Sequence, residues 1–122
     1  MAKKVILVDD SKTILATAQM AVEELVASGV VEFKTYLNPE ELLSNLKSGA
    51  ESFDLLISDI NMPQMNGLDL AREIKNDARF KQKPILILTT ESSADMKQMG
   101  KDIGVTGWMV KPFSDEKLVK SI

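Results

Sequence analysis

Short apolar runs alternate with stretches of helical period along the whole chain, and this alternation limits the possible folds more than any single residue does. Lys4–Val8, Val31–Leu37, Phe53–Ser58, Pro84–Leu88 and Gly107–Val110 read as strands. Near-continuous hydrophobicity over four or five residues suits a strand covered on both faces. Val31–Leu37 is polar in places and reads as an edge. Between the strands, Ser11 caps a helix whose apolar face is Ile14, Ala18, Val22 and Leu25, stopped by Ser28-Gly29. Asn38-Pro39-Glu40-Glu41 opens a second, burying Leu42, Leu43 and Leu46. Met62–Gly67 is a turn leading into Leu68, Leu70, Ala71 and Ile74. Ser92 or Ser93 opens a helix with Met96, Met99 and Ile103, and Ser114 caps a short last one with Leu118 and Val119. Strands and helices at this spacing form parallel βαβ units with right-handed crossovers. The fold class is therefore α/β, a doubly wound five-stranded parallel sheet.

The chain has 122 residues, which predicts one domain over 1–122. A formal net charge of −3 argues against a nucleic-acid binder, and no apolar run approaches the roughly 18 residues of a membrane span. No signal peptide is visible, so a cytoplasmic location is expected. The short last helix leaves open that the chain is clipped at its end. Cysteine is absent, which removes disulfides, thiol nucleophiles and the usual structural zinc sites. Histidine is absent too. Imidazole bases, the Ser-His-Asp arrangement and the commonest transition-metal ligand all go with it. What remains is carboxylate, hydroxyl, ammonium and a hard, oxygen-seeking ion.

Those groups occupy informative places. The first strand runs into Asp9-Asp10, the third into Asp59, the fourth into Thr89 and the fifth into Lys111. In an open parallel sheet, ligands sit beyond the carboxyl ends of the strands. Three carboxylates converging there repel one another unless a cation joins them, which predicts a Mg²⁺ site at Asp9, Asp10 and Asp59. Each piece has a plainer reading when taken singly. Asp9-Asp10 could serve a helix start, Asp59 a turn, Thr89 a strand and Lys111 the solvent. Ser11 already supplies the cap, however, and the ordered set has a common use. A carboxylate at Asp59 can accept a phosphoryl group, while a hydroxyl and an ammonium can hold its oxygens. Asn61 lies where its backbone carbonyl could complete a metal shell.

Asp9-Asp10, Asp59 within Ser-Asp-Ile-Asn-Met-Pro-Gln-Met-Asn-Gly, Thr89, and Lys111-Pro112-Phe113 resemble the receiver domain of bacterial two-component response regulators. Leu88–Ser93 and Gly104–Phe113 are similar to stand-alone chemotaxis receivers of the CheY type. The resemblance implies the flavodoxin-like strand order 2-1-3-4-5. It implies Asp59 as phosphoacceptor, with Asp10, Asp59 and the Asn61 carbonyl holding Mg²⁺ directly and Asp9 acting through water. It implies Thr89 and Lys111 as phosphoryl ligands. The histidine missing from this chain is then the phosphohistidine of a sensor kinase. Trp108 stands at the family's aromatic switch position, usually Tyr or Phe, and Thr90 follows Thr89 where the family mostly has a small residue.

On this basis the expected function is a phosphorylation-controlled switch, not an enzyme beyond its own Mg²⁺-dependent phosphorylation and dephosphorylation. The expected partners are a chemotaxis-type histidine kinase and the flagellar motor switch, and a monomer is expected. The output face would be the helix after Thr89, the Trp108 strand and the last helix, with Lys97, Lys101, Lys117 and Lys120 around Met96 and Trp108. The rivals are a receiver cut from a larger transcription factor or hybrid kinase, and a Mg²⁺-dependent phosphohydrolase with an aspartate nucleophile. Such hydrolases commonly carry an acid/base Asp two residues after the nucleophile, and that position here is Asn61.

Overall fold

The computed structural model describes residues 3–90, 94–111 and 114–122. Five strands, β1 (Lys3–Val8), β2 (Val31–Tyr36), β3 (Leu55–Asp59), β4 (Ile85–Thr89) and β5 (Gly107–Val110), form one parallel sheet in the order β2-β1-β3-β4-β5. Among the described residues six helices connect and flank them: α1 (Lys12–Ala21), α2 (Glu23–Ala27), α3 (Pro39–Ser48), α4 (Gly67–Lys75), α5 (Ala94–Ile103) and α6 (Asp115–Ser121). None of the described helices is long and apolar enough to cross a membrane.

The central strands are buried because both faces are covered, as their unbroken apolar sequence requires. Ile6, Val8, Leu56, Ile85 and Ile87 join Leu42, Leu46, Leu70 and Ile74 on the α3–α4 side. Val5, Leu7, Leu55, Ile57 and Leu88 join Leu15, Ala18, Val22 and Leu118 on the α1–α6 side. Alternate residues of each strand thus feed alternate layers. The register sets Val8 beside Ser58, Asp59 beside Leu88 and Thr89 beside Val110, so the strands end nearly level. One edge therefore collects the residues that follow them.

The caps read from sequence are in place. Ser11 accepts from Ile14 N at 3.3 Å, Asn38 from Glu40 N at 2.8 Å and Ser114 from Lys117 N at 3.1 Å. Ser92 and Ser93 lie outside the described residues. Two boundaries differ from the sequence reading. The first helix divides at Val22 (φ −101°, ψ 6°), whose side chain stays fully buried on the apolar face read from the sequence. Strand β3 begins at Leu55, not at Phe53. Asp54 N donates to Lys4 O at 2.7 Å while its carboxylate accepts from Lys4 N at 2.8 Å, an interaction that ends the ladder. Phe53 turns instead onto Phe80, with ring centroids 5.3 Å apart and planes 11° from parallel.

One buried acid lies away from the strand ends. Glu51 follows α3 and is almost wholly enclosed. It pairs with Lys4 and, at 2.8 Å, with Lys34, and accepts from Tyr36 Oη at 2.7 Å. Asn45 Nδ2 donates to the same phenol at 3.1 Å. Burial works to raise the Glu51 pKa, but the hydrogen bonds from Lys34, Lys4 and Tyr36 outweigh it and bring it to about 2. A depressed carboxylate pKa gives stability that is present above the ordinary value and lost as pH falls toward the folded one. Glu51→Gln should therefore cost about 2–3 kcal/mol near neutral pH. Urea unfolding of both proteins at several pH values should show that difference shrinking as pH falls from 4.5 toward 2.

Candidate phosphoryl and metal site

The edge where β1, β3, β4 and β5 end brings Asp9, Asp10, Asp59, Thr89 and Lys111 together. Asp9 is fully buried, at 0 % exposure, directly after β1. Its Oδ1 accepts from Ser11 N at 2.9 Å, which fixes the carboxylate against the start of α1. Asp59 closes β3 and is 5 % exposed, with Oδ1 accepting from Ile60 N at 2.9 Å. Asp10 is exposed at the mouth. One oxygen from each of Asp9, Asp10 and Asp59 can be chosen so that all three lie within 4.8 Å of one another.

Lys111 reaches in from the end of β5. Its ammonium lies 2.8 Å from Asp9 Oδ2 and 3.1 Å from Asp59 Oδ1. The backbone prepares this reach, since Lys111 N donates to Thr89 O at 2.8 Å and extends the β4–β5 pairing by one residue. Thr89 is fully buried on the neighbouring strand. Asn61 is exposed just past Asp59, and Thr90 is exposed just past Thr89. Pro112 and Phe113, and any isomer preference of the bond before Pro112, lie outside the described residues.

The balance of charge is uneven. Burial pushes the Asp59 pKa up and the neighbouring Asp9 carboxylate adds to it, while Lys111 and the Ile60 N–H pull only partly the other way. Burial by itself would lower the Lys111 pKa, but its hydrogen bond to Asp9 and the charges of Asp9 and Asp59 outweigh that and raise it. One ammonium thus pairs with two of three acids, which leaves the pocket short of positive charge. A set of hard carboxylate oxygens at this spacing suits Mg²⁺, which prefers oxygen ligands and keeps several waters. Asp9, Asp10 and Asp59 fit such an ion on donor chemistry and on the uncompensated charge.

Gly67 is a positioning residue that the sequence reading reduced to part of a turn. The loop after Asp59 folds back on itself: Met62 N and Gly67 N both donate to Ile60 O, at 3.1 and 2.9 Å. A Cβ on Gly67 would lie 1.9 Å from the Asp59 carbonyl oxygen. Only glycine lets α4 start this close to the carboxylate-bearing residue. Ser58 Oγ also donates to that carbonyl, at 2.9 Å. The absence of a side chain leaves no sequence signal beyond the Asn66-Gly67 pair. A second close approach lies under the fifth strand. A Cβ on Gly100 would meet Trp108 Cζ2 at 2.8 Å, so this buried glycine of α5 makes room for the half-buried indole. Trp108 pairs with Ile87 in the ladder and stands two residues before Val110, the partner of Thr89. Trp108 and Thr89 therefore share a face of the sheet.

Two consequences are testable. An acid whose pKa rises on folding costs stability above its folded value and ceases to cost it below the ordinary carboxylate range. In metal-free buffer at pH 7, Asp59→Asn should therefore be more stable than the parent chain. Chemical unfolding should show the gain vanishing below about pH 4. Gly67→Ala should lose about 1–3 kcal/mol through overpacking against the Asp59 backbone. The same unfolding measurement checks this.

Comparison with known proteins shows the family. Residues 5–122 match the family model described as the response regulator receiver domain. Chemotaxis protein CheY1 of Helicobacter pylori is 34% identical over 119 residues, covering 98% of this chain and 93% of the relative. Chemotaxis protein CheY of Pseudomonas aeruginosa is likewise 34% identical, covering 98% and 92%. Among solved structures, Vibrio cholerae chemotaxis protein CheY4 superposes with a TM-score of 0.84 at 41% identity, covering 99% of this chain and 96% of that one. A BeF3-activated DrrB receiver domain superposes at 0.82 with 26% identity, covering 99% and 94%.

Proposed function

The chain belongs to the response regulator receiver family, and on that premise we propose that it is a phosphorylation-activated switch whose acceptor is Asp59. The observation that carries this reading is the buried Asp59 carboxylate held 3.1 Å from Lys111 beside Asp9 and Asp10. The domain so defined would be the single functional unit of residues 1–122.

The phosphoryl donor is the phosphohistidine of a sensor kinase, which supplies the imidazole this chain lacks. An Asp59 carboxylate oxygen attacks phosphorus, the P–N bond breaks, and the imidazole leaves with the electron pair and takes a proton. The product is an acyl phosphate on Asp59. Hydrolysis later restores the carboxylate and releases inorganic phosphate, so the chain cycles without transforming a separate substrate. Bound at Asp9, Asp10 and Asp59, with the Asn61 carbonyl, Mg²⁺ would offset the negative charge that crowds this pocket. Lys111 holds a phosphoryl oxygen by its ammonium and Thr89 holds another by its hydroxyl. The ring of acids excludes a further anion until these cations are engaged.

Output follows from the shared face of Thr89 and Trp108. Drawing Thr89 toward the new oxygens frees space that the indole can enter, a shift between two packings that the modification favours by its differential contacts. The indole lies against Gly100 of α5, so its motion reaches that helix directly. Lys97, Lys101, Lys117 and Lys120 are exposed on α5 and α6 and would rim the docking surface. The naming of the relatives as chemotaxis proteins supports a chemotaxis histidine kinase upstream and the flagellar motor switch downstream, both met in the cytoplasm. Asn61 in place of an acid two residues after Asp59 weighs against a phosphohydrolase.

Acetyl phosphate with Mg²⁺ should label Asp59 with a base- and hydroxylamine-labile phosphoryl group, as an acyl phosphate requires, and Asp59→Asn should remove the label. Labelling mapped elsewhere would overturn the assignment. Amide shifts recorded with and without beryllium fluoride should change from Asp59 through Thr89 to Trp108 and α5. Changes confined to the pocket would rule out output through that face.

A further inference from the structure

The free edge of the sheet carries a pattern that the phosphoryl site does not use. Four of the six strongly exposed large hydrophobics among the described residues, Met20, Val26, Val30 and Leu37, lie on α1, α2 or the ends of β2. A groove of about 500 Å³ runs along this edge between Ala16, Met20, Val26 and Phe33. Strand β2 pairs with β1 on one side only.

The backbone of β2 specifies what can pair with the other side. Lys3 N donates to Val30 O and Asp9 N to Tyr36 O, so even-numbered residues point their amides and carbonyls at β1. By strand alternation Val31, Phe33 and Thr35 point theirs outward. In an antiparallel pairing, outward-facing residues must sit opposite one another as hydrogen-bonded pairs. Phe33 is the middle one of the three. A two-fold axis at Phe33 sets Phe33 opposite itself and Val31 opposite Thr35, and it sets Glu32 opposite Lys34 twice.

The side chains agree with that register independently. Opposite charges meet at Glu32 and Lys34, in the closer, non-hydrogen-bonded positions where cross-strand pairs interact most. Glu32 has no ion pair among the described residues, and the Lys34 side chain remains 53% exposed beside Glu51. A perpendicular two-fold also keeps α1 of both copies on one side of the joined sheet. The groove by Phe33, with Met20 and Val26, would then be covered by its own counterpart. A strand from an arbitrary partner satisfies the backbone but not this reciprocity of charge.

We propose that β2 is a self-association edge, on which a second copy of this chain pairs antiparallel about Phe33 to make a continuous ten-stranded sheet. The expectation of a monomer gives way here to a reversible dimer, and the strand ends bearing Asp59 remain open on both copies.

Sedimentation equilibrium of the whole chain at rising concentration tests this. A monomer–dimer equilibrium should appear at or below ~1 mM, the range of a weak specific contact. Glu32→Lys replaces two attractions with two repulsions and should weaken association at least about tenfold. Mixing it with Lys34→Glu should restore a heterodimer, since every facing pair is then of opposite sign. Because Lys34 also pairs with Glu51, the far-ultraviolet circular dichroism of Lys34→Glu is checked first. If it is not native, Lys34→Gln serves instead, and should weaken self-association of the otherwise unchanged chain. Thr35→Pro removes an outward amide without touching a β1 hydrogen bond and should abolish the dimer while leaving the far-ultraviolet circular dichroism unchanged. Because the chain has no native cysteine, Phe33→Cys should oxidise to a symmetric disulfide, whereas Glu32→Cys should not. A monomer at all concentrations, or a dimer indifferent to these changes, overturns the proposal.

Discussion

Lys111 spanning Asp9 and Asp59 is the interaction around which the rest of the site is arranged. A fully buried carboxylate such as Asp9 requires a counter-charge, and the ammonium 2.8 Å away supplies it. That contact also fixes the end of β5 against the end of β1, although β3 and β4 lie between them in the sheet. Asp59 then inherits a share of the same ammonium at 3.1 Å. The pocket is held together by one ammonium set against three carboxylates, which leaves it two positive charges short. Its remaining negative charge gives it a use for a metal ion, and a phosphoryl group arriving with one would alter every contact Lys111 makes.

Much of this was legible in the sequence because the signals were redundant. Five apolar runs and the helical periods between them fixed the parallel sheet, and the resemblance supplied the order β2-β1-β3-β4-β5 that the structure has. Asp9, Asp10, Asp59, Thr89 and Lys111 each end or follow a strand, so a correct strand assignment was enough to gather them. Capping by Ser11, Asn38 and Ser114 followed from local chemistry alone.

What escaped depended on contacts distant in sequence. Glu51 reads as one acid among eighteen acidic residues, and only the approach of Lys4, Lys34 and Tyr36 from two strands makes it a buried ion-pair centre. Gly67 and Gly100 act by lacking atoms, which no pattern of side chains can announce. Their spacing to Asp59 O and to the Trp108 ring appears only once the chain is folded. The open side of β2 belongs with these. Edge character was readable, but which amides face outward follows from the register with β1.

The central claim is that the three acids form a pocket deficient in positive charge, and metal affinity measures that deficiency most directly. Isothermal titration of Mg²⁺ into the chain at neutral pH should give one site. Asp10→Asn, which removes the exposed carboxylate and leaves the Lys111 contacts in place, should abolish it. Unchanged Mg²⁺ affinity in Asp10→Asn, or no binding to the parent chain, would contradict the account.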